Sequence, residues 1–433
     1  MNLSRLQALR SDMEKCFRCS LCKMAPLPTV THPDFTDACP AARLYHFHGF
    51  SGSGKQIMAL SLLDGRIQPD PALAGIAFAC TACGYCDVAC KFIMDAERHR
   101  VNMTLREFLV EQGLAPAAWT AAMADLREYG QRAGAASPSP AGWAAGLDLK
   151  LLPKQKAQDL LLAGCMTRSD ERQGRVARKL ARLLLHAGLD LGALGNAEPC
   201  CGLPAYWMNH REDFAGIARS NADLLDRLGV RRAIVASGSC FGAMRSKYPE
   251  YARAPGAEVI HASELLADLI ETGRLELTRP IPDRVTYHDP CYLGRQSEPY
   301  IDWRGEEKTA LGVMTYTEPA KPINYGTKGV FEPPRRILRA IPGLEFREMY
   351  RIREYSFCCG AGGGAPQAHP ALARTAALHR LDEARAVGAE KLVTACAHCA
   401  SHFLRTQAEA GAPETLPVLD VIDLVFTAAG LEE

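Results

Sequence analysis

The chain has 433 residues, longer than one hydrophobic core usually serves, so two or three domains are expected. Its 50 basic and 49 acidic residues nearly cancel, which removes any global electrostatic reason to expect nucleic acid or an acidic membrane surface as a partner. With 48% hydrophobic and 23% charged residues, and no uncharged apolar run of bilayer-spanning length, neither a disordered chain nor a membrane span is expected. The opening MNLSRLQALRSDMEK lacks the apolar stretch of a secretion signal, so the expected location is the cytoplasm, at most peripheral on the inner face of the membrane through a partner. Seventeen cysteines in such a reducing compartment point to metal before disulfides.

From the N-terminus, Cys16-x2-Cys19-x2-Cys22 and Cys80-x2-Cys83-x2-Cys86 come first. Three thiolates at this spacing wrap one face of an iron–sulfur cube, and in two-cluster ferredoxins the fourth cysteine of each run ligates the other cluster. The spacing assigns Cys16, Cys19, Cys22 and Cys90 to one [4Fe-4S] cubane, and Cys80, Cys83, Cys86 and Cys39 to a second. Two departures bear on that pairing. Cys39 is displaced from its run although it keeps the following Pro40, and Cys90 is followed by Lys91. Structural zinc is the alternative, but zinc takes thiols in separated pairs more than in triplets. Gly49-Phe-Ser-Gly-Ser-Gly-Lys55 imitates a phosphate-binding loop; Gln56 stands where the magnesium-binding hydroxyl belongs and no buried strand precedes it, so a nucleotide site is rejected. Val101, Leu105, Phe108 and Leu109 then fall on one face of a helix. Residues 1–112 are read as a helical dicluster ferredoxin domain, and 113–152, rich in Ala, Gly and Pro, as a linker carrying one short helix.

The remainder reads as a duplication, 153–278 and 279–433. Cys165, Cys200-Cys201-Gly202 and Cys240 in the first copy answer to Cys291, Cys358-Cys359-Gly360 and Cys396 in the second. Matched in this way, Ala243 stands where the second copy has Cys399. Short β-rich runs end near the single cysteines and helical patterns follow, as in Val176, Leu180, Leu183 and Leu184. The expected fold class is mixed α+β and α/β: the helical ferredoxin domain, then two duplicated α/β domains with short parallel sheets and ligands at the carboxyl ends of the strands. The second copy carries 32 extra residues near 296–328, either a tolerated surface loop or an element that docks a partner or covers a site. Gly360, Gly362, Gly363 and Gly364 imitate a dinucleotide fingerprint but follow a cysteine pair, where they are expected to bring backbone N–H groups close to cluster sulfur.

Cys200-Cys201-Gly202-Leu-Pro204, His288-Asp-Pro-Cys291-Tyr-Leu-Gly-Arg295, Phe357-Cys-Cys-Gly-Ala-Gly-Gly-Gly364 and Cys396-Ala-His-Cys399 resemble the cysteine-rich "CCG" domain family. That family includes heterodisulfide reductase subunits and the iron–sulfur subunits of glycolate and lactate oxidases. With a ferredoxin region in front, the layout is most similar to the fused form of heterodisulfide reductase. The resemblance implies a noncubane [4Fe-4S] cluster on Cys291, Cys358, Cys359, Cys396 and Cys399. Five converging thiolates also exceed what one zinc ion or one cubane uses. The incomplete set Cys165, Cys200, Cys201 and Cys240 is left with an altered cluster, zinc or nothing. His288 and His398 are candidate proton donors, with support of the cluster ligands as their plainer role.

The function expected is an iron–sulfur oxidoreductase subunit passing electrons between two cubanes and the C-terminal cluster, with thiol/disulfide or electron-relay chemistry. The alternative is a pure electron-transfer subunit of a flavin-dependent hydroxy-acid or acyl-CoA oxidoreductase. No flavin or nicotinamide motif is found, so hydride chemistry is expected on a partner. The expected partners are other redox subunits (a flavoprotein, a membrane quinone or haem subunit) and a small thiol or disulfide.

Overall fold

A computed structural model describes residues 3–26, 30–129, 142–311, 314–411 and 415–432. The N-terminal region is a set of short helices around two longer ones, Gly52–Leu63 and Arg98–Glu111. The false phosphate loop is the start of the first. Ser51 caps it by accepting from the Gly54 N–H at 3.1 Å, and the buried Lys55 ammonium donates to the carbonyls of Phe50 (3.1 Å) and Ala79 (2.8 Å). Helix Arg98–Glu111 is buried almost all round, beyond the single apolar face expected of it. Its Arg106 guanidinium, fully buried, donates to the carbonyls of Trp207 (2.8 Å) and Gly363 (2.7 Å) and so ties the ferredoxin region to both repeats.

The expected linker is a correction. Of 113–152, residues 130–141 lie outside the described residues; the rest is built into the fold. Helix Ala117–Tyr129 packs through the fully buried Trp119, whose indole N–H donates to Gly364 O at 2.9 Å. Lys150–Leu151 is an edge strand of the next sheet.

That sheet holds β1 (Lys150–Leu151), β2 (Asp159–Leu162), β3 (Leu191–Ala193), β4 (Arg232–Val235) and β5 (Glu258–His261), parallel in the order β1-β3-β2-β4-β5. After β6 (Arg284–Tyr287) the chain leaves for an antiparallel hairpin, β7 (Glu306–Ala310) and β8 (Met314–Glu318). It returns for β9 (Glu345–Arg347), β10 (Lys391–Thr394) and β11 (Val418–Asp420), parallel in the order β11-β10-β6-β9. Without β1, the two sheets have one strand order, so the duplication is real at the level of topology. The central strands β2, β4, β6 and β10 are buried on both faces by helices such as Glu171–His186, whose Val176, Leu180, Leu183 and Leu184 lie in the core. Cys165, Cys240, Cys291 and Cys396 follow the carboxyl ends of the central strands β2, β4, β6 and β10, where the strand order reverses and open α/β sheets hold their ligands.

Candidate metal centres

In the ferredoxin region one cavity is lined by Cys16, Cys19, Cys22 and Cys90, and a neighbouring one by Cys39, Cys80, Cys83 and Cys86, with Cys22 also on its wall. Left-handed residues wind both triplet loops: Arg18 and Ser20 in the first, Ala82 and Gly84 in the second. Arg98 donates to the Cys90 sulfur at 2.8 Å. Burial pushes the Cys90 thiol up to about 11, against Arg98, and the Cys39 thiol up to about 12, against Lys55. Four thiols gathered around one cavity suit a metal centre, whose positive charge would remove the protons that burial keeps on Cys90 and Cys39. This donor set fits a [4Fe-4S] cubane.

In the second repeat the five thiols form a continuous set. Cys291 touches Cys358, Cys358 touches Cys359, Cys359 lies 3.2 Å from Cys399, and Cys399 touches Cys396. A buried ionic frame holds them. The Arg335 guanidinium grips Asp289 at 2.6 and 2.9 Å, and Asp289 also accepts from the Arg353 N–H. Arg380 and Arg351 share Glu383 at 2.6 and 2.7 Å; burial alone would raise that carboxyl, and the two guanidiniums outweigh it and lower it.

Arg380 also donates to His288 Nδ1 at 3.1 Å. The His288 ring is therefore neutral with its proton on Nε2, and burial beside Arg380 lowers it to about 3. Nε2 has no hydrogen-bond partner, and His288 offers a ring nitrogen within 4.8 Å of the Cys359 and Cys399 sulfurs. The candidate proton donor is therefore a neutral imidazole beside these thiols. His398 differs: its Nδ1 lies 2.8 Å from Ser239 Oγ, and its ring meets Trp207 edge-on. It lines a cleft together with Cys165, Ala361 and Arg405. Sequence reasoning missed His261, buried at the end of β5 beside Ala395 and Cys396, where burial lowers it to about 4. No spacing signal pointed to it, because it reaches the second repeat's thiols from the first repeat's sheet.

The glycines divide. Gly360 donates its N–H to Cys358 Sγ at 3.3 Å. Gly362, Gly363 and Gly364 do not contact sulfur in this way. A Cβ at Gly362 or Gly363 would strike the backbone of Cys80–Ala82, and one at Gly364 the Trp119 indole, so the first two admit the ferredoxin region to close contact and the third admits helix Ala117–Tyr129.

In the first repeat Cys165 lies 3.8 Å from Cys200, and the set continues through Cys201 to Cys240. Beside it the Glu198 carboxylate accepts from the N–H groups of Ala163 (3.1 Å) and Gly164 (2.6 Å), and burial pushes it up to about 7. The missing fifth position is not Ala243. Asp159 pairs with Arg232 across β2 and β4, as Val285 pairs with Lys391 across β6 and β10. Counted from those rungs, Cys165 answers to Cys291, Cys240 to Cys399, and Ser237 to Cys396. Ser237 and Cys396 are also each the N-cap of the helix that follows. The equivalent residues face one another: Ser237 Oγ is 3.8 Å from Cys396 Sγ, and Ser239 pairs with His398. Matching by cysteine order hid this, because the substituted position is a serine three residues ahead of Cys240.

The ferredoxin and second-repeat sets meet directly. The Cys83 thiol contacts that of Cys358, and Arg295 donates to the carbonyls of Cys83 (2.7 Å) and Ser356 (2.7 Å). At the other end Cys19 is exposed, with Phe17 and Phe92 uncovered nearby.

The chain matches the family models described as cysteine-rich domain, over residues 160–245 and 324–404, and 4Fe-4S dicluster domain, over 12–93. These matches support iron–sulfur clusters. A subunit of the dihydromethanophenazine:CoB–CoM heterodisulfide reductase of Methanosarcina barkeri is 29% identical over 99% of this chain and 97% of its own. Its counterpart in Methanosarcina acetivorans is 30% identical over 81% and 78%. The EtfAB:quinone oxidoreductase of Syntrophomonas wolfei is 27% identical over 96% of this chain and 58% of its own length, so this chain spans little more than half of it. A crystal structure of a hypothetical protein from Helicobacter pylori shares the fold at 12% identity, with a TM-score of 0.55 over 88% of this chain and 68% of that one. The three named relatives are oxidoreductases or their subunits. Among the described residues no helix is long and apolar enough to cross a membrane.

Proposed function

The chain belongs to the family of these cysteine-rich heterodisulfide reductase subunits, and from that premise we propose that it is an iron–sulfur oxidoreductase subunit whose ferredoxin region exchanges electrons with the second repeat. The observation that carries this reading is the contact of Cys83 with Cys358, which puts the second ferredoxin thiol set against the complete C-terminal set. Cubanes on Cys16, Cys19, Cys22, Cys90 and on Cys39, Cys80, Cys83, Cys86, with a noncubane cluster on Cys291, Cys358, Cys359, Cys396, Cys399, would supply one-electron steps in a line. The chain's own residues do the rest. Exposed Cys19 marks the end at which a partner subunit gains access. At the other end the neutral His288 ring lies beside Cys359 and Cys399 with its Nε2 unpartnered, a candidate proton donor to a leaving thiolate. His398, oriented by Ser239, lines the cleft that a small thiol or disulfide could enter beside Cys165.

A second reading, an electron-transfer subunit of a flavin-dependent complex with no substrate of its own, draws support from Ser237. Only the second repeat has five thiols. One experiment separates these. Anaerobically purified protein is assayed for iron and examined by EPR while the oxidised form is titrated with a thiol. About twelve irons and a thiol-dependent paramagnet that Cys399→Ala abolishes are expected for the first reading. About eight irons with reduced-cubane signals alone would end it, and twelve irons without any response to thiols would favour the second.

A further inference from the structure

The 32-residue insertion is not a bare surface loop. Its inner segments, with Gln296, Glu298, Tyr300 and Trp303, roof a cavity of about 310 Å³ whose floor is helix Tyr85–Met94 and whose far wall is the first repeat. All three regions of the chain therefore meet around this space, which is of the size that takes a small molecule.

Two independent features mark it as built. First, its wall contains polar atoms with nothing to bind. Gln296 Oε1, Glu298 Oε2 and Arg295 Nη2 are buried without a hydrogen-bond partner, on side chains that are themselves more than nine-tenths buried. Lys247, equally buried, has three N–H donors and makes one hydrogen bond among the described residues, to Glu250 at 3.3 Å. Second, Lys247 sits on a π-helical turn, Ala243–Lys247, a rare local geometry that recurs at ligand sites.

The charges select the ligand. Five basic and four acidic side chains line the cavity, so an ion of one sign meets repulsion from much of the wall. A molecule with one anionic and one cationic end can set each end against a wall charge of opposite sign. We propose that this cavity binds a small zwitterion of free amino-acid or dipeptide size, its carboxylate on Lys247 and its ammonium toward Glu298 and Gln296. Tyr300 and Trp303 cover the part between. The site adjoins Gly84 and Asp87, each next to a thiol of the second ferredoxin set, so its occupant is placed to be felt there.

The test uses the full chain, purified anaerobically, with isothermal titration of the free amino acids and a series of glycyl dipeptides. Each is compared with its N-acetyl and C-amide forms. Saturable binding by at least one free-ended member is expected, weakened about tenfold or more by either cap and by Glu298→Gln or Lys247→Met. The proposal is overturned if no free-ended member binds, if capping leaves affinity unchanged, or if both variants bind as the parent does. The capped ligands probe the same charges on the unaltered protein, so a variant that fails to fold does not shield the idea.

Discussion

The two repeats share a strand order, a register and a cysteine pair at the same place, yet they hold their thiols by different means. In the second, charge does it: Arg335 on Asp289, and Arg380 and Arg351 on Glu383, all buried. In the first, neutral groups hold the cysteine pair: Asn221 donates to Cys200 O at 2.9 Å, and the Tyr248 hydroxyl donates to Cys201 O at 2.9 Å. The repeat with the ionic frame is also the one with five thiols and the one whose thiols touch those of the ferredoxin region. A duplicated scaffold has kept its backbone and let the side chains at the strand ends diverge, with the decisive change at one helix N-cap, serine in one copy and cysteine in the other.

The largest effect is expected from erasing that difference. Cys396→Ser gives the second repeat the first repeat's donor set. Its distinctive signal in the oxidised protein should vanish while the reduced-cubane signals persist, as EPR of one anaerobic sample in both states will tell. Survival of the signal would mean that the fifth thiol is not a ligand, and that the repeats differ less than their sequences do.

Next comes the ionic frame. Glu383→Gln leaves two buried guanidiniums without their shared anion, and losing one partner of a buried pair costs about 3–5 kcal/mol. Urea denaturation of the apo and loaded forms measures it. Because Arg380 also holds His288, the variant is expected to disturb the thiol-responsive signal as well as stability.

A pH dependence belongs to the same half. His379, edge-on to Phe357 and near Arg351, is lowered to about 3, by burial first and by Arg351 second. It is neutral in the folded chain and takes up a proton on unfolding. Stability is then intact above the unfolded value near 6.5 and is lost progressively as pH falls from there toward 3. His379→Gln should flatten that acid slope in denaturation midpoints taken from pH 7 to 5. An unchanged slope would assign it to other groups.

What could be read in advance follows the range of the interactions. The cysteine triplets, the β-runs and the face Val176, Leu180, Leu183, Leu184 are local patterns, and the residues of each lie together in the structure. Arg106, Trp119 and His261 gave no such signal, because their partners are Gly363, Gly364 and the Cys396 region, more than a hundred residues away. Ser237 was legible only through the ladder: a cysteine replaced by serine leaves a gap that counting cysteines fills with the wrong neighbour.

The smallest effect expected is at the neutral frame. Tyr248→Phe removes one hydroxyl that donates to Cys201 O and accepts from Asn221 Nδ2 at 2.8 Å. Asn221 keeps its bond to Cys200 O, so the loss is two neutral hydrogen bonds, about 1–3 kcal/mol, with the ring's packing retained. The same denaturation series that measures Glu383→Gln should return this smaller value and leave the second repeat's signal untouched. Equal costs for the two variants would show that the first repeat's thiols are held as tightly as the second's, and that the difference in charge does not carry over into stability.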